Sequence, residues 1–441
     1  MLLLGGGVAS AAYLDARDPH VAVSPAGLEF YAFATPNPGP GYQSYSRVFS
    51  PGGGGSFSSL QLSTDTNNTS GSWVVVDGAG NALYVWRHHN TSDSPDALLA
   101  RWRKADGTLG PQLTLASSAV PVAAIATGST GQAIVAWLRY DHAVINTRQV
   151  SIDGTVSSAQ TVASGAASYS APKLAVDPTG AATLAWTKVS SDGTATAQAR
   201  TRAADGTLGA VQNVSSSDAS ASAISDVATD SHGTATLLYI EASDDDGAPA
   251  LLVRTRSADG VLGTPQIIST SNDLYTYNIL AGPGPSVAID QATGNATFAW
   301  LLSGDAGDKI MLRRRAADGT LSKSVEMAAV GKQTIAPDSV QLDMDGKDKA
   351  TLAWRTVPTA GTYGIVYARQ QTTSGGAGPT LTVSPETRSV DDTMSMDAST
   401  NGTVALVWRS HDLAGNNPLI ESRRIAPSGT LGTSYILSVN G

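Results

Sequence analysis

Basic and aromatic side chains recur at one position of the sequence, directly after a tryptophan. Residues 87–89 (Arg-His-His) follow Trp86, and residues 409–411 (Arg-Ser-His) follow Trp408. Arginine and histidine donate charge-assisted hydrogen bonds to anions, and histidine also accepts protons. The candidate ligand-binding residues near this position are Arg87, His88, His89, Arg139, Tyr140, His142, Lys188, Glu241, Arg355, Arg409 and His411. Together they predict a site for a glycan or an anionic polymer.

The same residues have two other interpretations. Positions that leave a buried strand are the first to meet solvent, so charged side chains there also suit a surface without a ligand. A catalytic interpretation needs a defined set of groups. Arg139, Tyr140 and His142 supply the cation and the base of a polysaccharide lyase. Glu241 with Asp141, Asp305 or Asp412 would supply the two carboxylates of a glycoside hydrolase.

A run of alternating carboxylates near residue 345 is the one metal-binding signal. Asp343, Asp345 and Asp348 surround Gly346, and this spacing resembles a short Ca²⁺ loop. The run is too short to supply all the ligands of an EF-hand, and a structural turn is the other interpretation. The sequence therefore favours a structural turn and no cofactor, with Ca²⁺ at this loop as the alternative.

The candidate residues are positioned by an internal repeat. A glycine followed six residues later by an aromatic residue marks seven units, and an eighth carries two extra residues. The pairs are Gly27/Phe33, Gly80/Trp86, Gly131/Trp137, Gly180/Trp186, Gly233/Tyr239, Gly294/Trp300, Gly346/Trp354 and Gly402/Trp408. The mean period of about 54 residues is long enough for four short strands and their loops.

One unit shows the predicted strand pattern. Residues 173–177 and 181–186 are predicted strands joined by a turn at Gly180, and residues 196–203 and 211–215 are predicted strands joined by a hairpin at Asp205-Gly206. Helical periodicity is missing throughout. The sequence therefore predicts an all-β, eight-bladed β-propeller of four-stranded antiparallel blades. A seven-bladed ring is the alternative if residues 18–62 form an atypical unit.

The repeat resembles that of secreted bacterial β-propeller proteins. The resemblance covers residues 18–439, almost the whole chain, and implies a fold rather than a function. One large ring at a fixed depth in each unit is typical of a core position, because adjacent blades bury both of their faces against each other. The repeated aromatic residues are therefore predicted to fill the core.

The chain is predicted to form a single propeller domain at residues 18–441, preceded by an N-terminal segment at residues 1–17. Leu2 to Leu4 and the small residues that follow resemble the end of a signal peptide. Residues 8–14 could alternatively add a strand to the last blade and close the ring. With a charged fraction of 15% and no cysteine, the composition suits a secreted or cell-surface protein.

Charge and hydropathy exclude several partners. The net charge is −9, from 28 Lys and Arg against 37 Asp and Glu, which disfavours nucleic acid and anionic membranes. No apolar run is long enough to insert into a membrane. We expect an extracellular, non-enzymatic recognition or scaffold propeller whose partner is a glycan, an anionic polymer or another surface protein. A polysaccharide lyase or glycoside hydrolase, and a structural subunit of a surface assembly, are the alternatives.

Overall fold

The protein is described here from a computed structural model. The residues it describes are 17–36, 42–50, 59–64, 68–89, 96–117, 123–128, 131–217, 219–243, 249–270, 284–302, 307–330, 334–336, 339–357, 363–371 and 375–438. They form 34 β-strands and no α-helix. Within these ranges no helix could therefore cross a membrane.

The strands form consecutive four-stranded antiparallel blades, and blades 1 to 4 come from the N-terminal half. Blade 1 contains β1 (Arg17–Val23), β2 (Glu29–Pro36), β3 (Tyr42–Phe49) and β4 (Leu60–Gln61). Blade 2 contains β5 (Thr69–Val76), β6 (Ala82–His88), β7 (Ala97–Arg103) and β8 (Leu113–Ala116). Blade 3 contains β9 (Ala123–Thr127), β10 (Gln132–Leu138), β11 (Val144–Ser151) and β12 (Gln160–Ser164). Blade 4 contains β13 (Ser168–Tyr169), β14 (Lys173–Val176), β15 (Ala182–Val189), β16 (Ala195–Arg202) and β17 (Gln212–Asn213).

Blades 5 to 8 repeat this order, and in blades 4 and 7 the first strand is split into two pieces. Blade 5 contains β18 (Ala219–Thr229), β19 (Ala235–Ser243), β20 (Pro249–Arg256) and β21 (Gln266–Ser269). Blade 6 contains β22 (Ser286–Ile289), β23 (Ala296–Leu302), β24 (Lys309–Arg315) and β25 (Val325–Ala329). Blade 7 contains β26 (Thr334–Ile335), β27 (Gln341–Met344), β28 (Ala350–Val357), β29 (Val366–Gln371) and β30 (Ala377–Thr382). Blade 8 contains β31 (Arg388–Ala398), β32 (Val404–Asp412), β33 (Leu419–Ile425) and β34 (Leu431–Ile436).

The first strands of successive blades contact one another in a closed ring, and β31 of blade 8 lies against β1 of blade 1. The predicted eight-bladed β-propeller is thus confirmed. The seven-bladed alternative is wrong, because residues 17–61 form a complete blade of four strands. Residues 8–14, the predicted closing strand, lie outside the described residues.

The repeated aromatic residues fill the spaces between blades, as predicted. All eight rings are buried, with exposed fractions of at most 3%. Eight apolar clusters each join two neighbouring blades, and one of them joins blade 8 to blade 1. The hydrophobic effect therefore acts between blades all around the ring.

The turn chemistry of each repeat is local. Gly206 has a φ of +93°, the left-handed conformation that a tight hairpin needs and that glycine adopts without strain. Asp177 opens the first turn of blade 4, and its Oδ1 accepts the backbone N–H groups of Thr179 (2.8 Å) and Ala181 (3.1 Å). The same aspartate cap occurs in four other blades, at Asp77, Asp230, Asp290 and Asp345.

A repeated arginine on the third strand of each blade bonds to backbone carbonyls. Arg254, for example, donates to Gly263 O in its own blade (2.6 Å) and to Val214 O in blade 4 (2.9 Å). The bond to the preceding blade spans 2.7 to 3.5 Å in the pairs Arg47–Ile436, Arg101–Leu62, Arg148–Thr114, Arg200–Val162, Arg254–Val214, Arg313–Ile268, Arg369–Met327 and Arg423–Val383. The arginines therefore link neighbouring blades.

Candidate functional site

A pocket opens on the face of the ring where the first strands begin and the second strands end, which we call the loop face. Its volume is about 570 Å³, within the usual range for small-ligand pockets. Blade 1 contributes Arg17 and Tyr42, blade 2 contributes Ser70 and Arg87, and blade 8 contributes Met394. We call it the loop-face pocket.

The blade 2 wall of the loop-face pocket is a network of four polar side chains. His89 Nε2 lies 2.8 Å from Ser70 Oγ and 3.0 Å from an Arg87 nitrogen. Arg87 Nε also donates to Ser70 Oγ at 3.0 Å. Asp96, at the start of the third strand, lies 3.3 Å from both Arg87 Nε and His89 Nδ1. The end of β6 and the start of β5 thus bring these groups within contact distance of one another.

Another part of the lining comes from the starts of β1 and β3 in blade 1. The guanidinium of Arg17 lies 4.3 Å from the centre of the Tyr42 ring, a cation–π distance. Asp18 has a φ of +51°, and its Oδ2 accepts the Gly71 backbone N–H at 2.8 Å. An aromatic ring with a cation thus lines the same pocket as the polar network.

His20 lines both the loop-face pocket and the central channel of the propeller. Burial lowers the pKa of His20 to about 4, because a charged imidazole would lose its hydration there. Its Nδ1 lies 3.5 Å from the Val74 nitrogen. The imidazole of His20, which lines the pocket, is therefore neutral at physiological pH.

Blade 8 carries a related arrangement around Asp391. Its two carboxylate oxygens bind Arg409, at 2.8 Å, and His411 Nδ1. Ser410 has a different role, since its hydroxyl donates to the buried carboxylate of Glu421. Arg409 and His411 are thus held together by an aspartate of the first strand of the blade, β31.

The candidate lyase residues lie on an exposed loop of blade 3. Arg139 forms a bidentate ion pair with Asp141, two residues away, at 2.9 and 3.0 Å from its Nε. That hydrogen bond holds the pKa of Asp141 below its usual range. Tyr140 is 65% exposed, and His142 is also exposed, with a φ of +57°. This loop does not line the loop-face pocket.

The four remaining predicted residues are dispersed. His88 and Arg355 are buried, at 8% and 7% exposure, so they lie inside their blades rather than at the rim. Lys188 is half-buried on β15, opposite Tyr169 of β13. Glu241 Oε2 accepts a backbone N–H of the preceding loop at 2.9 Å. Of the predicted residues, only Arg87 and His89 line the loop-face pocket.

Three of the predicted ligand-binding arginines each form an ion pair with an acidic residue. Arg87 pairs with Asp96, Arg139 with Asp141, and Arg409 with Asp391. These contacts balance the positive charge that the sequence predicted for the loop face. Asp96 and Asp391 carried no signal in the sequence, because neither lies at a repeated position.

The predicted calcium ligands have separate partners. Asp345 caps the first turn of blade 7, with its Oδ1 accepting two backbone N–H groups. Asp348 forms an ion pair with Arg314, and Asp343 accepts the Ala398 N–H from β31 at 2.8 Å. Within the described ranges, no three acidic or histidine side chains are grouped as metal ligands. Ca²⁺ binding stays a prediction, tested below together with pH.

Two buried carboxyl groups face each other beside the central channel. Asp343 of β27 and Asp397 of β31 are hydrogen-bonded to each other, and burial raises the pKa of both. The pKa of Asp343 is raised to about 6. Asp397 also accepts the Val23 N–H, so the pair connects blades 7, 8 and 1.

This carboxyl pair predicts a pH-dependent stability. Because the folded state holds its protons more tightly than the unfolded chain, the contribution is fully present below about pH 4. It is lost as pH rises through about 6, the raised pKa of Asp343. We expect the free energy of unfolding to fall by at least about 1.4 kcal/mol, the value of one pKa unit, between pH 4 and pH 8.

Urea unfolding at several pH values, with EDTA or with Ca²⁺, measures this effect. Asp397→Asn should flatten the profile, since an amide keeps the bond to the Val23 N–H without a second charge. Asp226→Asn is the matched control, because Asp226 caps Val287 in the same way at another blade junction. A flat wild-type profile in EDTA would contradict the prediction, and a Ca²⁺-dependent rise in the urea midpoint would support the calcium loop.

Comparison with known proteins leaves the family open. No protein-family model and no curated protein matches the sequence. Among solved structures, the chain is similar to the β-propeller domain of the Trilobed protease from Pyrococcus furiosus, with 8% identity, a TM-score of 0.47, and coverage of 83% of this chain and 95% of that one. It is also similar to a puromycin hydrolase S511A mutant complexed with PGG, with 14% identity, a TM-score of 0.46, and coverage of 89% of this chain and 58% of that one. A third similar structure is the Hadza microbial sialidase Hz136, with 10% identity, a TM-score of 0.41, and coverage of 88% of this chain and 77% of that one. The chain thus spans little more than half the length of the puromycin hydrolase.

Proposed function

We propose that the protein is a secreted or cell-surface recognition propeller that binds a glycan in the loop-face pocket. One observation carries this proposal: the lining of the pocket combines an aromatic ring and its cation, Tyr42 and Arg17, with the hydrogen-bonding groups of Arg87, His89 and Ser70. A sugar presents an apolar C–H face and a rim of hydroxyl groups. Such a pocket matches both parts of that surface.

Charge balance favours a neutral glycan over an anionic polymer. The two arginines of the pocket, Arg17 and Arg87, are offset by Asp18 and Asp96. Arginine–carboxylate pairs keep several donors and acceptors in fixed directions, which suits the hydroxyl groups of a sugar. An anionic polymer would instead need an excess of positive charge at the site.

A glycan array followed by calorimetric titration tests the proposal. Tyr42→Ala and Arg17→Ala should each weaken binding of a neutral oligosaccharide by at least about tenfold, equivalent to about 1.4 kcal/mol, because each removes part of one pocket wall. Arg139→Ala, on the exposed loop of blade 3, is the matched arginine control and should bind as the wild type does. Unchanged affinity in the first two variants, or a preference for uronate polymers, would overturn the proposed site or ligand class.

A further inference from the structure

The arrangement of Ser70, His89 and Asp96 in blade 2 points to a catalytic activity in addition to ligand binding. We propose that the loop-face pocket hydrolyses acyl esters, with Ser70 as the nucleophile, His89 as the general base, and Asp96 positioning the imidazole. The substrate class is an O-acylated glycan, so the inference rests on the proposed function and deepens it. It also replaces the non-enzymatic role that the sequence favoured.

The distances match those that nucleophilic catalysis by serine requires. Ser70 Oγ and His89 Nε2 are 2.8 Å apart, within hydrogen-bond reach. His89 Nδ1 and Asp96 Oδ1 are 3.3 Å apart, a separation that commonly shortens when a substrate binds. A proton on Nδ1, facing the carboxylate, leaves Nε2 as an acceptor that the serine hydroxyl shares with an Arg87 N–H.

Arg87 places positive charge beside the nucleophile. Its Nε donates to Ser70 Oγ at 3.0 Å, and a second guanidinium nitrogen lies 3.0 Å from His89 Nε2. A fixed cation at this point favours the negative charge that develops on Ser70 Oγ as the hydroxyl gives up its proton. The half-buried Ser70 and His89 line the pocket, so an ester group held there can reach both.

The backbone around Ser70 is set by a break in the strand. The pairing of β5 with β6 shifts register between Ser70 and Trp73, and Gly71 has a φ of +56°. A Cβ at position 71 would lie 2.7 Å from the Trp73 ring, and the Gly71 N–H is held by Asp18. These contacts aim the Ser70 side chain at the histidine and not along the sheet.

Blade 8 shows what the blade 2 arrangement adds. There Asp391 also binds an arginine and a histidine, but the nearby Ser410 hydroxyl is committed to Glu421 and accepts from Arg388. Within the described ranges, the serine–histidine–aspartate set is therefore complete in blade 2. The Arg-x-His pattern is repeated, and Ser70 is the added component.

The reaction balances with water as its only co-reactant. Ser70 Oγ attacks the acyl carbon while His89 Nε2 takes the hydroxyl proton; the bond between the acyl carbon and the sugar oxygen then breaks, and His89 returns the proton to that oxygen. Water next attacks the acyl-serine and gives a proton to His89. The carboxylic acid leaves, and Ser70 recovers its proton.

Two assays on the purified full chain test the inference. Acetate release from O-acetylated oligosaccharides should be detected for the wild type, fall to the uncatalysed rate for Ser70→Ala, and fall by about 10²- to 10⁴-fold for His89→Gln. Asp96→Asn should lower kcat with little change in KM, as expected of a positioning residue. Ser158→Ala and His232→Gln, both exposed and outside the pocket, are the matched controls and should be fully active.

A covalent probe keeps the inference falsifiable if a variant fails to fold. A fluorophosphonate should label the wild type at Ser70, as located by peptide mass spectrometry, and leave the other serines unlabelled. Absence of both turnover and labelling in wild type would overturn the esterase. Titration of Ser70→Ala with the deacetylated oligosaccharide separates the two proposals. If this variant binds the sugar but the wild type shows no turnover, recognition is supported and the esterase is not. If the wild type shows turnover but the variant does not bind the deacetylated sugar, only the recognition proposal is contradicted.

Discussion

Replacing Trp408 with alanine should lower the free energy of unfolding by about 3 to 5 kcal/mol. The Trp408 ring is fully buried between blades 7 and 8, where it packs with Val366 and Ala368 of blade 7 and Leu406 of its own blade. Removing the indole leaves a cavity between two rigid sheets that cannot close around it. Chemical denaturation followed by circular dichroism measures the loss.

Trp408→Phe is the matched control for the core position. The indole Nε1 of Trp408 has no hydrogen-bond partner within the described structure. Phenylalanine therefore keeps most of the buried ring while removing a donor that is already unsatisfied, and we expect a loss well below that of alanine. Equal losses for the two substitutions would show that the ring does not act through buried volume.

Replacing Arg424 with methionine should cost a similar amount, about 3 to 5 kcal/mol, and should open the seam between blades 8 and 1. Arg424 Nε donates to Glu29, which is 4% exposed, and Arg424 also donates to Ser50 O at 3.1 Å. Tyr31 donates its hydroxyl to the same carboxylate at 2.7 Å. Without the guanidinium, Glu29 would be a buried charge without its counter-ion.

The pH dependence of this variant identifies the cause. Burial already raises the pKa of Glu29, and loss of Arg424 should raise it further. The Arg424→Met variant should therefore be least impaired at low pH, where Glu29 is protonated in both states, and become less stable as pH rises. The double variant Glu29→Gln/Arg424→Met should recover much of the stability at pH 7. A pH-independent loss would instead assign the effect to packing of the arginine stem.

The seam also bears on the function. Blades 8, 1 and 2 together form the loop-face pocket, and Thr393 and Met394 of blade 8 line it. If the seam loosens, these residues move away from Arg17 and Tyr42. We therefore expect Arg424→Met to weaken glycan binding before the protein unfolds.

Most of the fold could be predicted from the sequence because its determinants are local and repeated. The Gly180 turn, the Trp186 ring six residues later and the Asp205-Gly206 hairpin each act within one blade, and each recurs at a near-constant interval. Arg47 shows the limit of this approach. It is the eighth arginine of the inter-blade set, but the sequence that follows it has Pro51-Gly52 in place of the Asp-Gly pair of most units, so the repeat does not mark it.

Only part of the candidate site could be predicted. Arg87 and His89 stand out because they follow the repeated tryptophan, and both line the pocket. Ser70 and Asp96 do not, because one is an ordinary serine near the start of a strand and the other follows a variable loop. Their importance comes from lying 2.8 Å and 3.3 Å from the same imidazole, and such distances are not encoded by spacing along the chain.

The amino-acid sequence by itself determined the strand order within a blade and the rings that fill the core, and it favoured eight blades over seven. Alternation of side chains and turn preferences are properties of short segments, so a repeat reveals them. The tertiary structure alone decided that blades 8, 1 and 2 share a pocket, and that Arg87 in that pocket pairs with Asp96. Convergence of side chains depends on ring closure and on non-repeating loops, for which the chain offers no periodic signal.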